Sequence, residues 1–255
     1  MASRHSKRRA QLACLACLLA AAATARAADE AHWLDVEGQI QYAYYTEDLR
    51  ALGNLTQRLE AKADAEPLQN YYAALAHYRL AQSSAEHDRP RAASAAEHCT
   101  ASLDQAVLVR PDWAEALALQ AACLGLVADL SALRAPLAGP RSRAQLARAL
   151  ALDAHNPRVL LLDGALELER PRSTAAAAKL RACGEFAAAV SAFEAARPGA
   201  EHVPEWGPAE GYTYRARCDL ERGDAVAARD ALERALLIAP DFQLARRLIA
   251  RITAG

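Results

Sequence analysis

Glu97, His98 and Cys99 stand side by side, a carboxylate, an imidazole and a thiol that could hold a metal or activate a nucleophile if they converged. On a helix, successive side chains diverge by about 100°, so these neighbours cannot meet at one atom. The set reads as a structural cysteine beside two solvated polar groups. Glu167 and Glu169 are paired carboxylates of the kind used in acid and base catalysis, but they sit as exposed helix positions with no second feature to assign the roles. His77, between Ala76 and Tyr78, reads as a packed or surface histidine. The sequence contains no Gly-x-Gly-x-x-Gly, phosphate-binding loop, Gly-x-Ser-x-Gly or His-Glu-x-x-His motif. The expectation is a protein with no catalytic residues, no metal ligands and no cofactor.

Helices must position whatever function remains. Alanine and leucine supply 66 and 36 of the 255 residues, and strand-favouring valine, isoleucine and aromatics are sparse. That excess makes an all-α protein. Disorder is disfavoured, because 53% of the residues are hydrophobic and can fill a core.

Arg4, Lys7, Arg8 and Arg9 precede an apolar run from Leu12 to Thr24, and Ala25-Arg26-Ala27 offers small residues for cleavage. This is the pattern of a secretory signal peptide over residues 1–27, too short in its apolar part to span a bilayer. Cys14 and Cys17 lack a lipobox and leave with it. The expected mature domain, 28–255, holds 25 basic and 31 acidic residues, a formal charge of −6. It presents no dominant positive field to nucleic acid or anionic lipid, and no further stretch is apolar enough to cross a membrane. The expected location is periplasmic or secreted.

Boundaries recur at Pro67, Pro111, Ala154, Pro198 and Pro240, spaced by 44, 43, 44 and 42 residues. Each interval holds two apolar-periodic stretches split by a polar or glycine-containing turn. The helices expected are Trp33–Tyr45, Glu47–Lys62 with Thr46 as N-cap, Pro67–Gln82, Arg91–Val109, Asp112–Ala128, Arg143–Leu152, Arg158–Glu169, Ala176–Ala196, Glu210–Glu221, Ala225–Ile238 and Asp241–Ile252. The segments around Pro90, from Pro136 to Pro140, and from Pro171 to Thr174 read as loops.

In an exported chain, the four remaining cysteines are candidates for two disulfides. Cys99 lies twelve residues before Pro111 and Cys123 twelve after it, so a helical hairpin turning there sets them at one height, both on apolar stripes. Cys183 and Cys218 repeat the arrangement across a longer loop. Four reduced cysteines packed as small hydrophobes are the alternative.

Gly223-Asp224, followed by Ala228, Leu232, Ala235 and Pro240 and preceded by Ala216, resembles a tetratricopeptide repeat. Gly184, Phe186, Ala189, Phe193 and Ala196 echo it. Trp206-Gly207-Pro208-Ala209-Glu210 is similar to a sequence in small exported bacterial members of that family. Its own physics is a helix start, with Trp206 as packing anchor or ligand stack. The longer period leaves a HEAT-like helix pair as the alternative. The resemblance implies a right-handed superhelical solenoid of about five antiparallel helix pairs with a C-terminal capping helix.

In such a solenoid the first helix of each pair lines the concave side. Tyr42, Tyr44, Tyr45, Tyr71, Tyr72 and Tyr78 fall on the first helices of the first two pairs. The resemblance therefore implies a non-catalytic scaffold that binds a protein or peptide partner there, with Tyr42, Tyr45, Tyr71 and Tyr78 as anchors and Tyr214 and Arg217 as an outlying contact. Tyrosines at this spacing also fill gaps between stacked helices. An exported enzyme with a Glu/His site between repeats is the competing reading, and a close convergence of Glu and His in a deep pocket would mark it.

Overall fold

The computed structural model describes residues 30–60, 66–169, 176–196 and 204–254. Among them there is no strand. Helix α1 covers 30–45 and is followed by α2 (Leu49–Glu60), α3 (Pro67–Ser84), α4 (Arg89–Val109), α5 (Ala114–Leu130), α6 (Ala135–Leu152), α7 (Pro157–Glu169), α8 (Ala176–Ala195), α9 (Pro208–Glu221), α10 (Ala225–Ile238) and α11 (Gln243–Ala254). The helices pack as successive hairpins, α3 on α4, α5 on α6, α7 on α8 and α9 on α10, with neighbouring hairpins in contact. The chain is an all-α helix-pair solenoid closed by α11. The expected signal peptide, the 171–174 loop and the boundary at Pro198 lie outside the described residues.

Small side chains set the spacing. Ala92, Ala95, Ala96 and Ala106 of α4, and Ala228, Ala231 and Ala235 of α10, are buried against their partner helices. A stripe of alanines lets two helix backbones approach closely. The turns between hairpin helices reuse one chemistry: Asp48, Asp88 and Asp224 each accept backbone N–H bonds from the first turn of α2, α4 and α10. An aspartate there satisfies donors that the helix start leaves unpaired. Asp48 therefore caps α2 in place of the expected Thr46, whose hydroxyl instead donates back to the Tyr42 carbonyl at 2.8 Å.

Two expected loops are helical. Pro90 lies in the first turn of α4, where a missing N–H costs nothing. Pro136 does the same in α6, and Pro140 is carried inside that helix. Burial of Ala138, Ser142, Leu146 and Ala149 holds α6 together through Pro140, and Ser142 donates to the Ala121 carbonyl of α5 at 2.8 Å.

Two disulfides tie one hairpin to the next. Cys99 of α4 is joined to Cys123 of α5 with Cα atoms 6.0 Å apart, and Cys183 of α8 to Cys218 of α9 with Cα atoms 5.7 Å apart.

Helices α3 and α5 are buried on every side, which marks them as central. The covering over α3 is α1, the first of the described helices. Trp33 of α1 stacks on Tyr72 of α3 at 5.3 Å, Tyr72 donates to Glu37 at 3.0 Å, and Tyr44 and Tyr45 meet Phe242 beyond α10 at 6.0 and 4.5 Å. The first hairpin thus touches the last, and the array closes on itself.

Candidate functional site

Where the two ends meet, the closure holds a buried polar hub. Arg79 projects from the C-terminal half of α3 and donates to Glu210 in the first turn of α9. Its Nε donates to Gln41 Oε1 at 3.1 Å, while Gln41 Nε2 donates to Glu210 at 2.7 Å and Tyr45 donates to the other Glu210 oxygen at 2.8 Å. The guanidinium also lies 4.2 Å from the centre of the Tyr44 ring and 5.0 Å from that of Trp206. Burial alone would lower the Arg79 pKa, yet Glu210 and the surrounding tyrosines raise it. Arg79 is therefore a fixed cation. Burial and the Glu210 charge push the Tyr45 phenol well above its usual range, so it stays a donor.

The same surfaces leave a cleft of about 570 Å³ beside the hub. Tyr44, Leu49, Phe242 and Leu244 give it apolar and aromatic walls, and Glu47, Gln82, Ser83, Glu86, His87 and Arg247 give it polar ones. Glu47 and Arg247 are paired across this seam, one bond being 2.9 Å. A cavity of roughly 300–1,000 Å³ is of small-ligand size.

Glu47 reaches Arg247 because of its backbone. It has φ of 58°, with its N–H donating to the Tyr44 carbonyl and the Asp48 N–H to the Ala43 carbonyl. That is a helix-ending Schellman pattern, normally completed by glycine. Gly223 completes the same pattern between α9 and α10, with φ of 79°.

The expected tyrosine anchors do not share one face. Tyr71 and Tyr78 are core residues, 0% and 2% exposed, because α3 is packed over by α1, through Trp33 on Tyr72, and by Trp206, which meets Tyr71. Trp206 donates its indole N–H to the Tyr71 hydroxyl at 2.9 Å, and Tyr71 stacks on Trp113 at 4.7 Å. Trp206 is thus a packing anchor. Tyr45 belongs to the hub, half-buried. Tyr42 alone of the four is open, 61% exposed. Tyr214 stacks on Phe186 at 4.7 Å with exposed Arg217 beside it, the guanidinium 5.5 Å from the ring centre. The open tyrosine-lined trough is corrected to a covered one.

Glu97 and Cys99 diverge as neighbours on a helix must, Glu97 pairing with Arg134 at 3.0 Å and Cys99 with Cys123. The hub was missed in the sequence. Its one visible sign is Arg79, a lone cation in the run from Tyr71 to Ala81.

No family model and no curated protein matches the chain. Its structure is similar to that of the HusA haemophore from Porphyromonas gingivalis, with a TM-score of 0.53, 21% identity, and coverage of 73% of this chain and 92% of that one. The likeness is one of fold. No described helix is long and apolar enough to cross a membrane.

Proposed function

We propose that the protein is an exported, non-catalytic binding protein that takes a flat, amphipathic ligand of the haem class in the cleft at its seam. The observation that carries this is the cleft itself: Tyr44, Leu49, Phe242 and Leu244 suit one face of an apolar macrocycle, and at its margin His87, with Arg247 once it exchanges Glu47 for the ligand, suits carboxylate edges. The neighbour of similar fold is a haemophore, and the two disulfides suit an oxidising compartment. The fixed hub beneath Tyr44 holds the cleft's wall in place without offering a group that titrates.

Titration of the mature chain with haemin, read as a shift of the Soret band, tests the proposal. Saturable one-to-one binding is expected. Phe242→Ala, which removes a wall, and Arg247→Ala, which removes the margin cation, should each weaken it about tenfold, close to 1.4 kcal/mol. Absence of a saturable shift at micromolar protein, or variants that bind as tightly as the parent, would overturn it.

A polypeptide partner is the second reading, favoured by the exposure of Tyr42 and by the Tyr214–Arg217 pair. Recognition would then use these outer surfaces. Capture of a partner that Tyr42→Ala weakens, with haemin binding absent, would select it.

A further inference from the structure

Helices α2, α3 and α4 bring Glu60, His77 and His98 together, although the sequence spreads them over 39 positions. Glu60 Oε1 lies 2.8 Å from His77 Nε2 and 2.8 Å from His98 Nδ1. The two imidazoles are nearly parallel, 20° apart with centres 5.1 Å from each other. One donor atom of each residue lies within 4.8 Å of the other two.

We propose that Glu60, His77 and His98 form a binding site for a divalent transition-metal ion of borderline softness, such as Zn²⁺. Two imidazole nitrogens and one carboxylate oxygen are the donor set such an ion takes, at about 2.0–2.2 Å each. Donors placed tetrahedrally at that distance stand about 3.3 Å apart, so the carboxylate has to withdraw by roughly half an ångström from each imidazole and the exposed His98 ring has to swing until its donor stands at that distance from His77, the three donors now lying within 4.8 Å of one another. Glu60 ends α2 and is 38% exposed at its side chain, so it has room to do so. His77 is held rigidly in the core of α3, and His98 is 55% exposed on α4. A rigid inner ligand with two adjustable outer ones leaves the remaining coordination position facing solvent. The ion would pin the end of α2 to the α3–α4 hairpin, and the open position could take water or a donor from another molecule.

His77 Nδ1 is buried without a hydrogen-bond partner. Metal at Nε2 would leave the ring proton on that unpaired nitrogen, whereas strong sites give it a carboxylate or carbonyl. The affinity expected is therefore micromolar rather than nanomolar. The site is independent of the seam cleft and of the ligand proposed for it.

The test uses the mature chain without a histidine tag and Zn²⁺ in isothermal titration, with Co²⁺ absorption as a second readout. One equivalent is expected, with ligand-field bands of a four- or five-coordinate ion. His98→Ala and Glu60→Gln, both at exposed positions and checked for helicity by circular dichroism, should each weaken binding at least tenfold. His32→Ala and His155→Ala remove exposed imidazoles elsewhere and should leave it unchanged. Lack of a saturable equivalent below about 100 µM, or binding by folded His98→Ala and Glu60→Gln equal to the parent's, would overturn the proposal.

Discussion

Arg79 and Glu210, 131 residues apart in sequence, form an ion pair whose side chains are 3% and 2% exposed, and this pair joins α3 to α9 at the closure of the array. Taking two charges out of water is costly, and the cost is met only if both are fully hydrogen-bonded. Gln41 and Tyr45 complete the Glu210 carboxylate, and Gln82 accepts a further guanidinium bond at 3.0 Å. The pair contributes specificity of closure more than net stability.

Removing one partner should be much worse than removing both. Glu210→Gln leaves Arg79 charged in the interior and should cost about 3–5 kcal/mol. Arg79→Met with Glu210→Gln should recover part of that loss, because no buried charge remains. Urea midpoints of the two variants decide it, and equal losses would show the charges to be independent.

Glu37 gives the fold a pH dependence of unusual sign. Burial pushes its carboxyl up to about 7, while Arg158, the Glu205 N–H and Tyr72 pull it down. The folded state therefore holds a proton on Glu37 over a range in which the unfolded chain has lost it. The group costs nothing below the unfolded value of 4.5, and its penalty grows as pH rises from there to about 7. The full penalty is about 3 kcal/mol above pH 7. Glu37→Gln should raise the melting temperature at pH 8 and have far less effect at pH 4.5. An equal effect at both values would refute the assignment.

The helices themselves were legible because alanine-rich stripes, breakers and turn residues state them locally. The departures were local too: Pro136 and Pro140 looked like loop residues because only burial of Ala138, Ser142 and Leu146 against α5 makes them helical. The hub and the seam cleft were not legible. Arg79 signals a buried cation, but nothing near it names Glu210, and Tyr71 reads the same whether a groove is open or covered. What covers it is Trp206, 135 residues away in sequence, beside α1 on Tyr72, and both placements depend on contacts made across the length of the chain.

The disulfides should matter most between hairpins. Each links the second helix of one pair to the first of the next, over sequence separations of 24 and 35 residues. Loop-closure entropy puts the stabilisation at about 3–4 kcal/mol per bond. Non-reducing peptide mapping should recover Cys99 with Cys123 and Cys183 with Cys218, and reduction should lower the urea midpoint accordingly. Recovery of Cys99 joined to Cys183 would contradict the hairpin order.

Glu47 sets a small backbone strain against a small ion pair, and two substitutions separate them. A non-glycine residue at φ of 58° costs about 1–2 kcal/mol, whereas an exposed pair such as Glu47–Arg247 returns only about 0–1 kcal/mol. Glu47→Gly relieves the first and loses the second, so its stability should equal or exceed the parent's. Glu47→Ala keeps the strain and loses the pair, so it should be the least stable of the three. Both free Arg247 at the margin of the cleft, and haemin binding should hold or tighten in each, because a released guanidinium can meet a ligand carboxylate. A Glu47→Gly variant less stable than Glu47→Ala would show that the pair, and not the turn, fixes α1 against α11.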